Sequence, residues 1–314
     1  MNAADRLFDG GSILFVGLGN MGSPMAGRVA ESYRVLVHDA DSEVTARVAA
    51  ALAAEPVAEL SALPNGITCA VLMLPNSRIV ELVLLGADGS GEQGLFAALP
   101  SGTAVIDMSS SEPESTQRLH ALAAARGIRY IDAPVSGGVI RAETGELSVM
   151  VGADDADFEH ARPVLERMGG AIIHVGGPGS GHAAKAINNV LSASNLVSAA
   201  EALLTANRFG IESAKMLEVI NSSTARSQAS ELKFPKHILS EKYDSGFYFS
   251  LMVKDITIAT SLMQKYGLVV PNLMAAKQSA EDALRLLGDT SVTGGPLDHT
   301  ELARYVQVIN RADQ

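Results

Sequence analysis

Cysteine, aromatic residues and basic clusters are all scarce in this chain of 314 residues. Cys69 is the only cysteine, so an internal disulfide is excluded, and so is a metal site built on cysteine pairs. It lies inside the apolar run ITCAVLML, which marks it as a small buried residue. Aromatics make up 4% of a chain that is 47% hydrophobic, so its core must be built from Ala, Val, Leu and Ile. A charged fraction of 19% argues against disorder. No cluster of Lys and Arg offsets the formal net charge of -11, which argues against nucleic acid or an anionic membrane as partner. No apolar run reaches the length of a membrane helix, and MNAADRLFDGGS carries no basic segment followed by an apolar core. A cytoplasmic protein is the expectation. The seven histidines show no metal-ligand spacing such as HxxxH, so no metal is expected.

What is present alternates in period. SILFVGLGNMG runs from a β-compatible segment into glycines, and the helical PMAGRVAESY follows. YRVLVHD, TCAVLML, TAVIDMS, IRYIDAPV, LSVMVGA and AIIHVG are further strand candidates, with helical stretches such as SEVTARVAAAL and DFEHARPVLERMG between several of them. This alternation predicts an α/β fold with a doubly wound, largely parallel sheet of Rossmann type. Beyond Gly177 strand-like runs almost vanish, and helices are expected over 180–209, 213–221, 250–266, 272–287 and 297–310. The expected domains are therefore 1–177, binding the dinucleotide, and 178–314, all-helical, for substrate and dimerisation. A helix over 180–209 would span about 45 Å at 1.5 Å per residue, enough to join two domains. Between Asn221 and Phe249 a polar segment fits no clean period, and long irregular segments of this kind are often functional.

Gly17, Gly19 and Gly22 form GxGxxG between a strand and a helix. The first permits the turn, the second lets backbone approach a pyrophosphate, and the third lets the helix pack closely on the strand. Asp39 ends the next strand candidate, where a carboxylate would accept from a ribose 2′-hydroxyl and repel a 2′-phosphate. That favours NAD over NADP, with NADP the alternative cofactor and Asp41 a rival for the acidic role. Ser136, Gly137 and Gly138 follow a strand candidate, so their N–H groups and the serine hydroxyl could bind a carboxylate. After a glycine-rich turn that suits a flexible, hinge-like entry, GGPGSG, Lys185 and Asn189 stand four apart on one helix face. A catalytic pair competes there with an exposed lysine on an interdomain helix.

GLGNMGSPMA, the Leu74-Pro75 pair in MLP, DAPVSGG, GxGxxxKxxNN and the late KDI occur in that order over nearly the whole chain. Together they resemble the β-hydroxyacid dehydrogenase family, which includes 3-hydroxyisobutyrate dehydrogenases and tartronate semialdehyde reductases. The resemblance implies hydride transfer between NAD and a small 3-hydroxy acid, such as 3-hydroxyisobutyrate, glycerate or a threonate-like acid, in a homodimer or homotetramer. By the same resemblance Lys185 is the catalytic lysine, with Asn189 and Ser136 completing the catalytic set, and Ser136, Gly137 and Gly138 form the substrate loop. Leu18, Asn20 and Met21 lie in the cofactor turn, Leu74, Pro75 and Ser110 border the cofactor, and Lys254 contacts it. Phe247, ahead of the KDI helix, is either a nicotinamide-side contact or ordinary core.

Lysine suits proton transfer if its surroundings lower its pKa from about 10.4 toward working pH, and Asn189 could hold the proton path in line. The competing role for Lys254 is a surface salt bridge with Asp255. Two positions depart from the family pattern. Arg141 stands where many relatives carry glycine, as an acid-binding cation or a solvated loop residue. Gln228 takes an aromatic position of the pocket wall, which suggests a more polar substrate such as a sugar acid. An imine reductase and a noncatalytic dinucleotide-binding protein are the alternatives, and Lys185 speaks against the first.

Overall fold

The computed structural model describes residues 11–311. The chain divides into two compact units, Met1–Lys185 and Ala186–Gln314.

In the first unit the strands are β1 (Ser12–Val16), β2 (Arg34–His38), β3 (Glu55–Pro56), β4 (Ile67–Leu72), β5 (Ala104–Asp107), β6 (Arg129–Asp132), β7 (Val135–Ser136), β8 (Leu147–Gly152) and β9 (Gly169–Gly176). Helices α1 (Gly22–Ala30), α2 (Ser42–Leu52), α3 (Ser77–Leu85), α4 (Leu95–Ala98), α5 (Pro113–Ala124), α6 (Gly138–Thr144) and α7 (Asp155–Met168) lie between them. The parallel part of the sheet runs β3-β2-β1-β4-β5-β6. Beyond it β8 pairs antiparallel with β6 and β7, and parallel with β9. Alternation decides which face each side chain covers. Ile13, Phe15, Val35, Val37, Cys69 and Val71 pack into one buried cluster, while Leu14, Val16, Leu36, Ala70 and Leu72 pack into another. Strands buried on both faces read as unbroken apolar runs, as SILFV and ITCAVL do.

Order reverses between β1 and β4, because the chain leaves β1 toward β2 and returns on its other side to β4. In an open parallel sheet, ligands bind in the crevice at the carboxyl ends beside such a reversal. The turn after β1 and the loop after β4 therefore frame the candidate site.

The long helix α8 (Ser180–Phe209) carries the division between the units. The second unit continues with α9 (Ser213–Asn221), α10 (Phe249–Lys265), α11 (Pro271–Leu287) and α12 (Leu302–Ile309), the last preceded by a 3₁₀ turn over His299–Glu301. Its core clusters Val190, Leu196, Phe234, Phe249, Met252, Ile256 and Leu302. The polar stretch without a clean period contains a π-helical segment, Ala229–Ile238. Pro235 accounts for part of this shape, since it brings no N–H to the helix ladder. The carbonyl of Ser230, five residues back, instead accepts from Asn221 Nδ2 at 3.1 Å. Among the described residues no helix is long and apolar enough to cross a membrane.

Candidate active site

The turn after β1 leaves almost no room at two of its glycines. Gly17 has a φ of +93°, and a Cβ there would stand 2.3 Å from the Met73 carbonyl oxygen. A Cβ on Gly22 would stand 1.9 Å from the Gly17 carbonyl oxygen, so only glycine lets α1 begin this close to β1. Gly19 differs: nothing lies within 4 Å of its would-be Cβ, and its backbone faces open space with Asn20 exposed beside it. Leu18 is buried and Met21 half-buried, and no side chain caps α1.

Asp39, just past β2, ties this turn to the neighbouring strand. Its Oδ2 accepts from Leu18 N–H at 2.7 Å and its Oδ1 from Asp41 N–H at 3.0 Å. Each carboxylate oxygen keeps a further lone pair. Asp41, the rival acid, is instead the N-cap of α2, accepting from Glu43 and Val44. The glycine turn and the half-buried acid at the next strand end thus fit a dinucleotide: backbone open at Gly19, and a negative acceptor on the side where a ribose would lie.

At the neighbouring strand ends, the Leu74 N–H donates to Ser109 Oγ at 2.9 Å. Leu74 and Ser110 are half-buried and Pro75 is exposed. Ser109 belongs to a buried polar network built from β5, β6 and α5. Ser109 N–H donates to Asp107 Oδ1 at 3.0 Å, and Tyr130 Oη donates to Asp107 Oδ2 at 2.8 Å. Burial, and then the Asp107 charge, push the Tyr130 hydroxyl well above its usual range, so it stays a donor. His182, at the start of α8, completes the network. Its Nε2 carries a proton, because at 3.1 Å it faces the Ser109 carbonyl, which only accepts. Its Nδ1 is 2.7 Å from Thr116 Oγ1.

Asp132, at the end of β6, holds the glycine-rich entry to α8. It accepts from Gly179 N–H at 2.8 Å and from His182 N–H at 2.9 Å. A Cβ on Gly181 would stand 2.4 Å from the Met150 carbonyl oxygen. The flexible, hinge-like entry expected from GGPGSG is therefore corrected: this turn is glycine-rich because it is packed tightly against strand ends and clamped by a buried carboxylate. Neither Asp132 nor His182 was singled out from sequence, since their partners lie 47 to 73 residues away.

Ser136 lies in β7, paired with Ser148, and Gly137 and Gly138 turn the chain into α6. Arg141 sits on that short helix with its aliphatic stem over Gly137, 2.8 Å from a would-be Cβ. Lys185 is 8% exposed and Asn189 is 6% exposed, so neither is the solvated side chain that the competing expectation describes. They stand one turn apart on one face of α8.

In the second unit Asn189 Nδ2 donates to Asp255 Oδ2 at 2.6 Å, and Lys254 Nζ lies 3.5 Å from Asp255 Oδ1. Asp255 is 2% exposed, so the Lys254 pair is not a surface bridge. With its N–H₂ end on Asp255, Asn189 turns its carbonyl oxygen the other way, where Asn188 Nδ2 reaches it at 3.3 Å. Phe247 is half-buried, its ring 5.3 Å from that of His299. Gln228 is exposed at the start of the π-helical segment. Among the described residues no group of three or more His, Cys, Asp or Glu is placed to hold a metal ion.

Strand order, glycine turn and acid together define a dinucleotide-binding fold, and comparison with known proteins places it among oxidoreductases. A family model for the NAD binding domain of 6-phosphogluconate dehydrogenase matches residues 12–176. A second, described as NAD-binding of NADP-dependent 3-hydroxyisobutyrate dehydrogenase, matches residues 179–306. The 2-(hydroxymethyl)glutarate dehydrogenase of Eubacterium barkeri is 40% identical over 270 residues, covering 85% of this chain and 87% of that protein. The NAD-dependent L-serine dehydrogenase of Pseudomonas aeruginosa is 36% identical, covering 80% and 85%. In structure, Mycobacterium tuberculosis 3-hydroxyisobutyrate dehydrogenase with L-serine superposes with a TM-score of 0.83 at 29% identity, over 95% of this chain and 99% of that one. The chain belongs to the β-hydroxyacid dehydrogenase family.

Proposed function

We propose that the protein transfers hydride between NAD and a small 3-hydroxy acid, with Lys185 moving the proton. The observation that carries the lysine assignment is its burial one turn from Asn189, on a helix whose first turn Asp132 and His182 fix to the strand ends. The compounds named for the three relatives share one skeleton, a primary alcohol on the carbon beside the one that bears the carboxylate. They differ in the substituent on that middle carbon. For this chain the proposed reaction is oxidation of such an alcohol to the aldehyde, with one hydride and one proton leaving, and its reverse.

When bound, NAD supplies the hydride acceptor. Gly17, Leu18, Gly19, Asn20, Met21 and Gly22 would hold its pyrophosphate on open backbone, and Asp39 its ribose hydroxyls. Leu74, Pro75 and Ser110 would border it, and the family resemblance adds Phe247 and Lys254 as cofactor contacts. Ser136, Gly137 and Gly138 would bind the substrate carboxylate, and Gln228 would belong to the pocket wall. Lys185 takes the hydroxyl proton in oxidation and returns it in reduction. Asn189, its amide oriented by Asp255, offers a carbonyl oxygen to the lysine or the substrate hydroxyl. In this scheme 1–177 is the cofactor domain and 178–314 the substrate domain. We take the working form to be a cytoplasmic homodimer or homotetramer, which the Ala- and Ser-rich sequence of α8 supports and sedimentation checks.

The test is Lys185→Ala. NAD affinity should stay within about threefold of the parent, while kcat on 3-hydroxy acids falls by about 10³-fold or more. Turnover near that of the parent would remove the lysine from the mechanism.

A further inference from the structure

Three ties converge on the first turn of α8. Asp132 holds the N–H groups of Gly179 and His182, and Gly181 packs against the Met150 carbonyl. These two fix where the helix begins and need no particular side chain at 182. The third tie is the His182 ring, fully buried and bonded at both nitrogens, at 3.1 Å to the Ser109 carbonyl and at 2.7 Å to Thr116 Oγ1. An apolar side chain could fill that space without burying polar groups, so the hydrogen bonds of the ring call for another account.

Ser109 supplies it. It is fully buried, two residues past β5, and Asp107 anchors its N–H at 3.0 Å. Its Oγ accepts from the Leu74 N–H at 2.9 Å, and its carbonyl accepts from His182 Nε2–H. One anchored residue therefore binds both the loop that would border the cofactor and the helix that carries Lys185. His182 and Lys185 are three apart, hence neighbours on α8. The Asp132 bonds reach main-chain N–H groups near the helix axis, so they resist sliding better than turning. The ring reaches Ser109 from the side of the helix, so it resists turning. A group about 6 Å from the axis moves by about 1 Å when a helix turns by about 10°. A misplacement of about 1 Å can cost about 10²-fold in rate.

We infer that His182 is a positioning residue for proton transfer: through Ser109 it locks the first turn of α8, and with it Lys185, in register with the strand-end loops beside the cofactor. The assignment rests on Lys185 as the proton carrier of the dehydrogenase function above. His182 itself touches neither substrate nor cofactor in this role.

Two amides that differ by one methylene test it. Gln can place an N–H where His182 Nε2 stands and so keep the Ser109 bond, whereas Asn is too short to reach that carbonyl. The kcat and KM on a 3-hydroxy acid, NAD affinity and urea unfolding are measured for the parent and for His182→Asn and His182→Gln. A third variant, His182→Leu, loses both ring contacts and should repeat the result of His182→Asn. In His182→Asn kcat per folded molecule should fall by about ten- to hundredfold, with KM and NAD affinity within about threefold of the parent. His182→Gln should recover most of kcat. In a Lys185→Ala background, His182→Asn should lower the residual rate by no more than about threefold, because the side chain it places is gone. Variants that lose stability but keep the parent's kcat per folded molecule make His182 a fold residue only, and overturn the assignment. A loss of the same size with and without Lys185 also overturns it, and leaves the lysine's role standing. Turnover near that of the parent in Lys185→Ala alone removes the lysine from the mechanism, and the role of His182 with it.

Discussion

Gly19 and Gly22 sit three residues apart in one turn and are constrained by different things. At Gly22 the obstacle is the protein itself, the Gly17 carbonyl oxygen 1.9 Å from where a Cβ would stand. At Gly19 nothing of the protein is within 4 Å, so any constraint there comes from a ligand. Gly22→Ala should therefore destabilise the fold by about 1–3 kcal/mol, as overpacking does. Gly19→Ala should leave stability within about 0.5 kcal/mol of the parent and still weaken NAD binding by tenfold or more. Urea unfolding and NAD titration of the two variants separate these effects, and unchanged NAD affinity in Gly19→Ala would remove that backbone from the phosphate site. Residues with a short-range pattern, such as these glycines and the Lys185–Asn189 pair, were legible in the sequence. Asp132 was not singled out there, because it gains its meaning from partners 47 and 50 residues away, and Asp255 was read only as a salt-bridge partner of Lys254, because its bond to Asn189 spans 66 residues.

The elements were legible to the degree that one period ran through them. The expected helices over 180–209 and 213–221 coincide with α8 and α9, and α10 and α11 start one residue earlier than expected. The segment over 229–238 was not, because a π-helix has neither of the usual periods and Pro235 speaks against a helix of any kind. Less visible still was how α8 begins. Burial raises the Asp132 carboxyl above its usual range, opposed by His182 and by the N–H groups of Gly179 and His182. The folded protein then binds the Asp132 proton more tightly than the unfolded chain does. Its contribution to stability is fully present below the unfolded carboxylate value, about 3.9, and is lost as pH rises through the raised folded value. Asp132→Asn cannot ionise, so that part of the pH dependence should vanish. It keeps only one acceptor oxygen for two N–H groups, so it should be less stable than the parent in acid, by about 1–3 kcal/mol, with the gap narrowing toward neutral pH. Urea unfolding at a series of pH values reads this, and a gap that widens with pH would reverse the sign assigned to Asp132.

For the molecule as a whole, the parallel order β3-β2-β1-β4-β5-β6 places Asp39 at the end of the strand next to the glycine turn. The apolar runs and the glycines between them made this unit legible, while the antiparallel pairing of β7 and β8 followed from no local pattern. One expectation about the cofactor concerns the whole chain, because a ligand that binds only the folded state stabilises it by mass action. At a hundredfold excess over Kd the gain is about 2.7 kcal/mol. A carboxylate at the ribose edge welcomes a 2′-hydroxyl and repels a 2′-phosphate, so NAD should raise the melting temperature more than NADP at equal concentration. Asp39→Asn keeps a side-chain oxygen for the Leu18 N–H and removes the charge, so the turn should persist while the preference shrinks. The two cofactors should then shift the variant's melting temperature by similar amounts, and Lys185→Ala should show the parent's full preference, because the role proposed for that lysine is proton transfer and not cofactor choice. If the parent responds to NADP as strongly as to NAD, Asp39 is an anchor for the glycine turn and does not choose the cofactor.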